Sequence, residues 1–259
     1  MSTLTITTVQ SEIVWCDKNA NLIHLTQLLQ DVSNTDLILL PETFATGFAI
    51  NLACGENAAD SNVLDWMKKT AKASKAIVAG SVLVNIKNKK ANRFYWVWPN
   101  GELKFYDKRH LFRLGNEGDH VIAGNERTIF EIKGVRIMPI VCYDLRFPVW
   151  SRNRNDYDVL VNVANWPAVR RKVWDTLLQA RAIENQTYVI GVNRIGDDGN
   201  SVAHNGGTAI YDYLGEPVFT APNDHESVAT TTIDIASLMQ FKQKFPAYLD
   251  ADSFEIYAD

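Results

Sequence analysis

Short apolar runs separated by helical stretches constrain the fold of this chain most. Leu37-Ile38-Leu39-Leu40 is unbroken, and Ile137-Met138-Pro139-Ile140-Val141 runs directly into Cys142. Strands in a sheet covered on both faces read this way, whereas a half-exposed strand alternates. Between the runs lie stretches of helical period. Residues 19–32 place Leu22, Leu25, Leu28 and Leu29 on one face. Residues 60–74 do the same with Val63, Leu64, Met67 and Ala71, behind an N-cap at Asp60 or Ser61. A third helix is expected over 168–185. Strands are expected over 3–9, 36–40, 76–85, 157–163 and 187–193, with a strand pair over 127–132 and 135–142. Asn100-Gly101 turns a hairpin of 92–99 and 102–106. Residues 204–233 read as further hairpins. The pattern predicts two sheets with helices outside them, a layered α/β fold. No repeat or linker divides the 259 residues, which predicts one domain over 1–259.

Several function classes lose support at this level. The net charge of −4 leaves no basic excess for phosphate contacts, so nucleic acid is not an expected partner. No apolar run reaches the roughly 18 residues of a membrane span. The first residues lack the basic and apolar regions of a secretory signal. The three cysteines, Cys16, Cys54 and Cys142, are odd in number and widely spaced, unlike a disulfide framework. A reducing, cytoplasmic setting is therefore expected. There is no Gly-x-Ser-x-Gly elbow, no Walker loop and no Cys-x-x-Cys, and the five histidines are scattered.

The chemistry concentrates where apolar runs stop. Cys142 ends its run and is followed by Asp144 and Arg146. It reads as a small core residue or, at a strand exit, as a nucleophile. Glu42 follows Leu39-Leu40-Pro41 and reads either as the start of a solvated loop or as a carboxylate aimed inward, with Phe44, Gly47 and Phe48 making its surroundings apolar. Lys108, after Phe105-Tyr106-Asp107, reads as a surface lysine or as an ammonium that steadies a thiolate and an oxyanion. Glu117 reads as a loop residue or as a partner that orients Lys108. A Cys–His pair using His110 or His204 stays open. Together the strand-end carboxylate of Glu42, ammonium of Lys108 and thiol of Cys142 suggest a cysteine hydrolase with its own base and its own oxyanion partner. Asp144 and Arg146 are expected to pair or to cap backbone groups of the turn. Phe44, Phe48, Phe112 and Trp166 are candidate walls. Arg170 is a candidate cation for a substrate carboxylate.

Leu39-Leu40-Pro41-Glu42, Tyr106-Asp107-Lys108-Arg109-His110-Leu111-Phe112 and Val141-Cys142-Tyr143-Asp144-Leu145-Arg146-Phe147-Pro148 resemble, in order and separation, the motifs of the nitrilase superfamily of carbon–nitrogen hydrolases. The likeness continues through Ala164-Asn165-Trp166-Pro167 and Gln179 to Gln186. It implies a four-layer α-β-β-α sandwich and a Glu42–Lys108–Cys142 triad. It also implies Glu117 as the second glutamate of the family. With the backbone N–H of Tyr143 as an oxyanion donor, these residues would form the site. Neither metal nor organic cofactor is implied. Protomers would pair through their helices into a homodimer or a higher homo-oligomer. Cys142 to Asn153 and the Phe245-Pro246-Ala247 tail are most similar to the bacterial omega-amidases. That branch implies hydrolysis of the terminal amide of 2-oxoglutaramate or succinamate. The alternative is another branch: a general aliphatic amidase, an N-carbamoyl-amide hydrolase or a nitrilase.

Overall fold

The structure, a computed structural model, describes residues 3–57 and 60–257. In chain order its elements are β1 (Thr3–Gln10), α1 (Lys18–Leu28), β2 (Leu37–Leu39), β3 (Glu56–Asn57), α2 (Asn62–Ser74), β4 (Ile77–Ile86), β5 (Lys89–Val97), β6 (Leu103–Asp107), α3 (Glu117–His120), β7 (Phe130–Ile132), β8 (Val135–Val141), α4 (Pro148–Ser151), β9 (Val159–Ala164), α5 (Arg171–Asn185), β10 (Tyr188–Asn193), β11 (Ile195–Asp197), β12 (Ala203–Asn205), β13 (Ala209–Tyr211), β14 (Pro217–Thr220), β15 (Ser227–Asp234) and α6 (Ile235–Lys244). None of the helices described is long and apolar enough to cross a membrane.

Two sheets result. The first runs β15-β1-β2-β4-β5-β6, with β3 also on β4, and the second β14-β13-β10-β9-β8-β7. Each has a parallel centre, β1-β2-β4 in one and β8-β9-β10 in the other, flanked by antiparallel strands. The strand period of two sorts side chains between layers. On β2, Leu37 and Leu39 face the core between the sheets, and Ile38 faces the other way. On β5, Phe94 and Trp96 face inward while Tyr95 and Val97 face outward. The outward face is covered by α1 and α2 through Leu25, Val63, Met67 and Ala71. Helix α5 lies on β10 and β13 and buries Trp174, Leu178 and Ala182. The order of layers is helix, sheet, sheet, helix, the nitrilase-type sandwich that the motifs imply.

The helix N-termini follow local chemistry. Ser61, rather than Asp60, caps α2, its hydroxyl accepting the Leu64 N–H at 3.0 Å. Asp17 caps α1 through the Ala20 N–H. Three expectations need correction. Helix α1 ends at Leu28, not at 32. Only β13 and β14 of the 204–233 stretch form a hairpin with each other; β12 pairs back onto β11, and β15 crosses to the first sheet and pairs with β1 over its full length. Facing threonines, Thr5 with Thr232 and Thr7 with Thr230, share hydroxyl hydrogen bonds along that seam. Residues 127–129, expected as strand, precede β7.

Candidate active site

Strands β2, β8 and β9 end at one edge of the sandwich. Three residues beyond β2 stands Glu42, immediately after β8 Cys142, and immediately after β9 Asn165. Strand β6 delivers Lys108 to the same place. Open α/β sheets place their chemistry at such carboxyl ends.

Glu42 is fully buried and every oxygen is engaged. Its Oε1 accepts from Asn92 Nδ2 at 2.8 Å and from Lys108 Nζ at 3.1 Å; its Oε2 accepts the Asn165 N–H at 2.7 Å. That last bond ties the two sheets together across the site. The Lys108 ammonium, also buried, donates to both oxygens of Glu117 at 3.0 Å. Glu117 in turn accepts the Phe112 N–H at 2.6 Å. One cation is thus held between two carboxylates. Burial alone would lower the Lys108 pKa, but Glu117 and Glu42 outweigh it and raise it. Lys108 is therefore a fixed positive charge. Glu117 shifts upward, because burial and Glu42 together outweigh the pull of Lys108.

Cys142 opens a five-residue 3-10 turn, Cys142–Arg146, with φ of 47°. A side chain at positive φ costs energy and persists only where its surroundings over-determine it. Asn162 does so: its Oδ1 accepts the Cys142 N–H at 2.6 Å and its Nδ2 donates to the Cys142 carbonyl at 3.3 Å. Asp144 fixes the rest of the turn. Its carboxylate accepts from Tyr106 Oη, the Val141 N–H, the His110 N–H and His110 Nδ1, all at 2.8–3.0 Å. Asp144 thus caps backbone, as one of its two expected roles had it. It does not pair with Arg146.

The Cys142 thiol is pushed well above the usual cysteine range by burial first and the Glu42 carboxylate second, with Lys108 acting against them. At neutral pH the sulfur holds its proton, so attack requires a base. No histidine is among the groups that shift it. His110 is bound to Asp144 and stacked on Phe147 with ring centroids 3.8 Å apart. His204 lines the cavity, its pKa lowered by burial and by Arg194.

Glu42, Lys108 and Cys142 line one cavity of about 370 Å³. Of the expected wall residues it contains Phe48, Phe112, Trp166 and Arg170, together with Tyr143. Glu117 lies behind Lys108 rather than on the wall. Phe44 is not a wall residue: it is buried beneath α2, its ring 5.9 Å from that of Trp66. Phe48 lies under the Lys108 ammonium, 5.2 Å from ring centroid to nitrogen. Arg170 stacks over Phe112 at 5.3 Å and Arg146 over Trp166 at 5.4 Å. Sequence reading missed Asn92, Asn162 and Asn165, which hold Glu42 and Cys142, and it missed Arg146 as a wall residue. A signal for Asn165 existed in the Ala164-Asn165-Trp166-Pro167 motif; for Asn92 and Asn162, inside strands, there was none. Asp198, Asn200 and Val202 close the cavity from the β11–β12 ribbon.

The sequence matches the carbon-nitrogen hydrolase family over residues 5–243. It is 48% identical over 255 residues to the omega-amidase YafV of Yersinia enterocolitica, covering 98% of this chain and 99% of that one. To the 2-oxoglutaramate amidase of Bacillus subtilis it is 34% identical, covering 95% and 96% of the two chains. Among solved structures, XC1258 from Xanthomonas campestris, a CN-hydrolase superfamily protein with an arsenic adduct in its active site, superposes with a TM-score of 0.96. The two share 43% identity, with 99% of this chain and 100% of that one covered.

Proposed function

The chain belongs to the carbon–nitrogen hydrolase family, and from that premise we propose that it is an omega-amidase, releasing ammonia from small linear amides that carry a carboxylate at the far end, with 2-oxoglutaramate and succinamate as its substrates. It is a hydrolase of carbon–nitrogen bonds other than peptide bonds. The observation that carries the reading is the buried Lys108 ammonium shared by Glu42 and Glu117 on the wall that Cys142 also lines. The curated relatives named omega-amidase and 2-oxoglutaramate amidase supply the substrate class.

In this reading Glu42 takes the thiol proton as Cys142 attacks the amide carbon. A carboxylate base is needed because the thiol is not ionised at rest. Charge grows on the carbonyl oxygen and is met by Lys108 and by the Tyr143 N–H. The Cys142 N–H is committed to Asn162, which leaves the next amide of the turn for that task. One such donor contributes roughly 3–4 kcal/mol in the transition state. Glu42 then gives the proton to departing ammonia. It next takes a proton from water, which attacks the thioester; the carbon–sulfur bond breaks, the acid is freed, and Glu42 returns the proton to the departing Cys142 sulfur. The carboxylate thus acts as base and then as acid in each half of the reaction, and ends as it began. Glu117 holds Lys108 in place. Phe48, Phe112 and Trp166 shape the cavity, and Arg170 meets the substrate carboxylate.

The same reading takes residues 1–259 as one domain, working in a reducing, cytoplasmic setting with Cys16, Cys54 and Cys142 as free thiols. It takes the protein as a homodimer or higher homo-oligomer. Exposed Ile183 on α5 and Phe245 after α6 support pairing on that side, and light scattering in solution tests it. Ammonia release from succinamate, 2-oxoglutaramate, a nitrile and an N-carbamoyl amino acid tests the activity. Turnover of the first two is expected; preference for either of the last two would replace this reading with another branch of the family.

A further inference from the structure

The β11–β12 ribbon closes part of the cavity, with Asp198, Asn200, Val202 and His204 on the wall. Its two strands pair only with each other and belong to neither large sheet. A two-stranded ribbon is marginal in water by itself, so what it leans on decides where that wall stands. The tip is well built internally: Asp198 Oδ1 accepts the Asn200 N–H at 2.8 Å and the Val202 N–H at 3.0 Å.

The support is the segment 11–16, which follows β1. At the base of the ribbon, the Ser11 carbonyl accepts the Ile195 N–H at 3.1 Å, and the Ile13 carbonyl accepts from Nη2 of the buried Arg194 at 3.2 Å. At the tip, the Trp15 indole lies against Gly199. A Cβ on that glycine would stand 2.3–2.4 Å from Nε1, Cδ1 and Cε2 of the indole, closer than any side chain can pack. The benzene edge of the same indole meets Gly47, where a Cβ would stand 3.0 Å from Cε3 and 3.3 Å from Cζ3. Gly47 belongs to the loop after Glu42 that brings Phe48, Ile50 and Asn51 to the same cavity. That loop is tied to the segment too. The Cys16 N–H donates to the Thr46 carbonyl at 2.8 Å, and the buried Asn21 Nδ2 donates to the carbonyls of Val14 and Ala45, both at 2.8 Å. Trp15 itself is not a wall residue. One indole thus bridges two wall segments from outside the cavity.

We propose that Trp15 is a positioning residue for the reaction: its indole fixes the ribbon tip relative to the Phe48 loop and so sets the spacing of two walls that close on the substrate. The proposal goes beyond the omega-amidase reading and rests on it only for the choice of substrate. Glu42, Lys108 and Cys142 stand at strand ends of the large sheets, whereas the indole bears on a loop and the ribbon. Loosening the walls therefore weakens the hold on substrate without displacing the reacting groups, which raises KM more than it lowers kcat.

The test is steady-state kinetics on succinamate with the wild type, Trp15→Phe, Trp15→Ala, Gly199→Ala and the Trp15→Ala/Gly199→Ala double variant. Trp15→Ala should raise KM at least about tenfold with kcat within about threefold of wild type, and Trp15→Phe should recover most of the loss. Gly199 is exposed and has no positive φ, so Gly199→Ala reports contact with the indole rather than backbone strain or burial. It should raise KM about threefold or more in the wild type and less than about twofold in Trp15→Ala, where the indole it would displace is gone. An unchanged KM in Trp15→Ala, or an equal Gly199→Ala effect in both backgrounds, overturns the proposal. Where Trp15→Ala does not fold, Gly199→Ala alone decides, and an unchanged KM overturns it. If the wild type releases no ammonia from succinamate, the omega-amidase reading fails instead. The walls are then read from alkylation of Cys142 by iodoacetamide, which Gly199→Ala should speed; an unaltered rate overturns the positioning role.

Discussion

Replacing Glu42 by Gln should do two opposite things to Cys142. With Glu42 ionised, the buried groups Glu42, Lys108 and Glu117 sum to one negative charge, and ionising the thiol would make two. In Glu42→Gln the one remaining carboxylate, Glu117, and the Lys108 ammonium sum to zero before ionisation. Glu42 is the second cause, after burial, of the raised thiol pKa, and Lys108 still lowers it. The thiol pKa should therefore fall, because the like charge that opposes its ionisation is gone. Catalysis should collapse all the same, because the proton acceptor is gone; general acid–base groups contribute roughly 10²–10⁴-fold. The fold should survive with a calculable cost. The Gln oxygen can face either the Asn165 N–H or the Asn92 and Lys108 donors, but not both. A buried donor left unpaired costs about 1–3 kcal/mol, a fall in Tm on the order of 2–12 °C for a chain near this size. The assay is the pH dependence of Cys142 alkylation by iodoacetamide, located by peptide mass, beside ammonia release. An alkylation midpoint that stays or rises, or activity within tenfold of wild type, would refute the charge argument.

Other consequences are as specific. Arg170→Met should raise KM for succinamate by roughly tenfold or more and much less for a neutral amide; equal effects on the two would remove Arg170 from the carboxylate. Lys108→Met should cost roughly 3–5 kcal/mol by leaving Glu42 and Glu117 buried without their cation. Its stability should rise as pH falls, because a carboxylate with a pKa raised by folding binds more protons native than unfolded. The gain begins at the raised native pKa and is complete below the unfolded value of about 4.3. Urea denaturation from pH 8 to pH 4 reads this, and a flat profile would contradict it. Asn162→Ala should lower kcat more than it raises KM, since it frees the backbone of Cys142 from its strained φ; the opposite split would assign Asn162 to substrate binding.

What the sequence makes legible here follows from the range of each interaction. Glu42, Lys108 and Cys142 stand out because each interrupts an apolar run at a strand end, a local signal. Their meeting is not local: Glu42 bonds Asn165 across 123 positions of chain and Lys108 across 66. Only the family motifs bring them together on paper. Asn92 and Asn162 are hidden because a polar residue within a strand looks the same whether it holds a nucleophile or faces water. The 227–234 stretch, rich in threonine and β-branched residues, reads like any hairpin strand, and nothing nearby says that its partner is β1 at the other end of the chain. Arg146 was placed with Asp144 on adjacency, but the 3-10 turn points the carboxylate back into the fold and the guanidinium out over Trp166. Helix α6 escaped notice because its apolar residues follow directly on a strand, with only Asp234 to mark the start; that side chain accepts the Ser237 N–H at 3.1 Å.

The central claim is that Cys142 carries the acyl group. Wild-type protein mixed with succinamate, quenched in acid within the first turnovers and digested, should show one acyl group on the peptide containing Cys142, an adduct that hydroxylamine removes. Steady ammonia release with Cys142 never modified, or undiminished release by Cys142→Ala, would contradict the account.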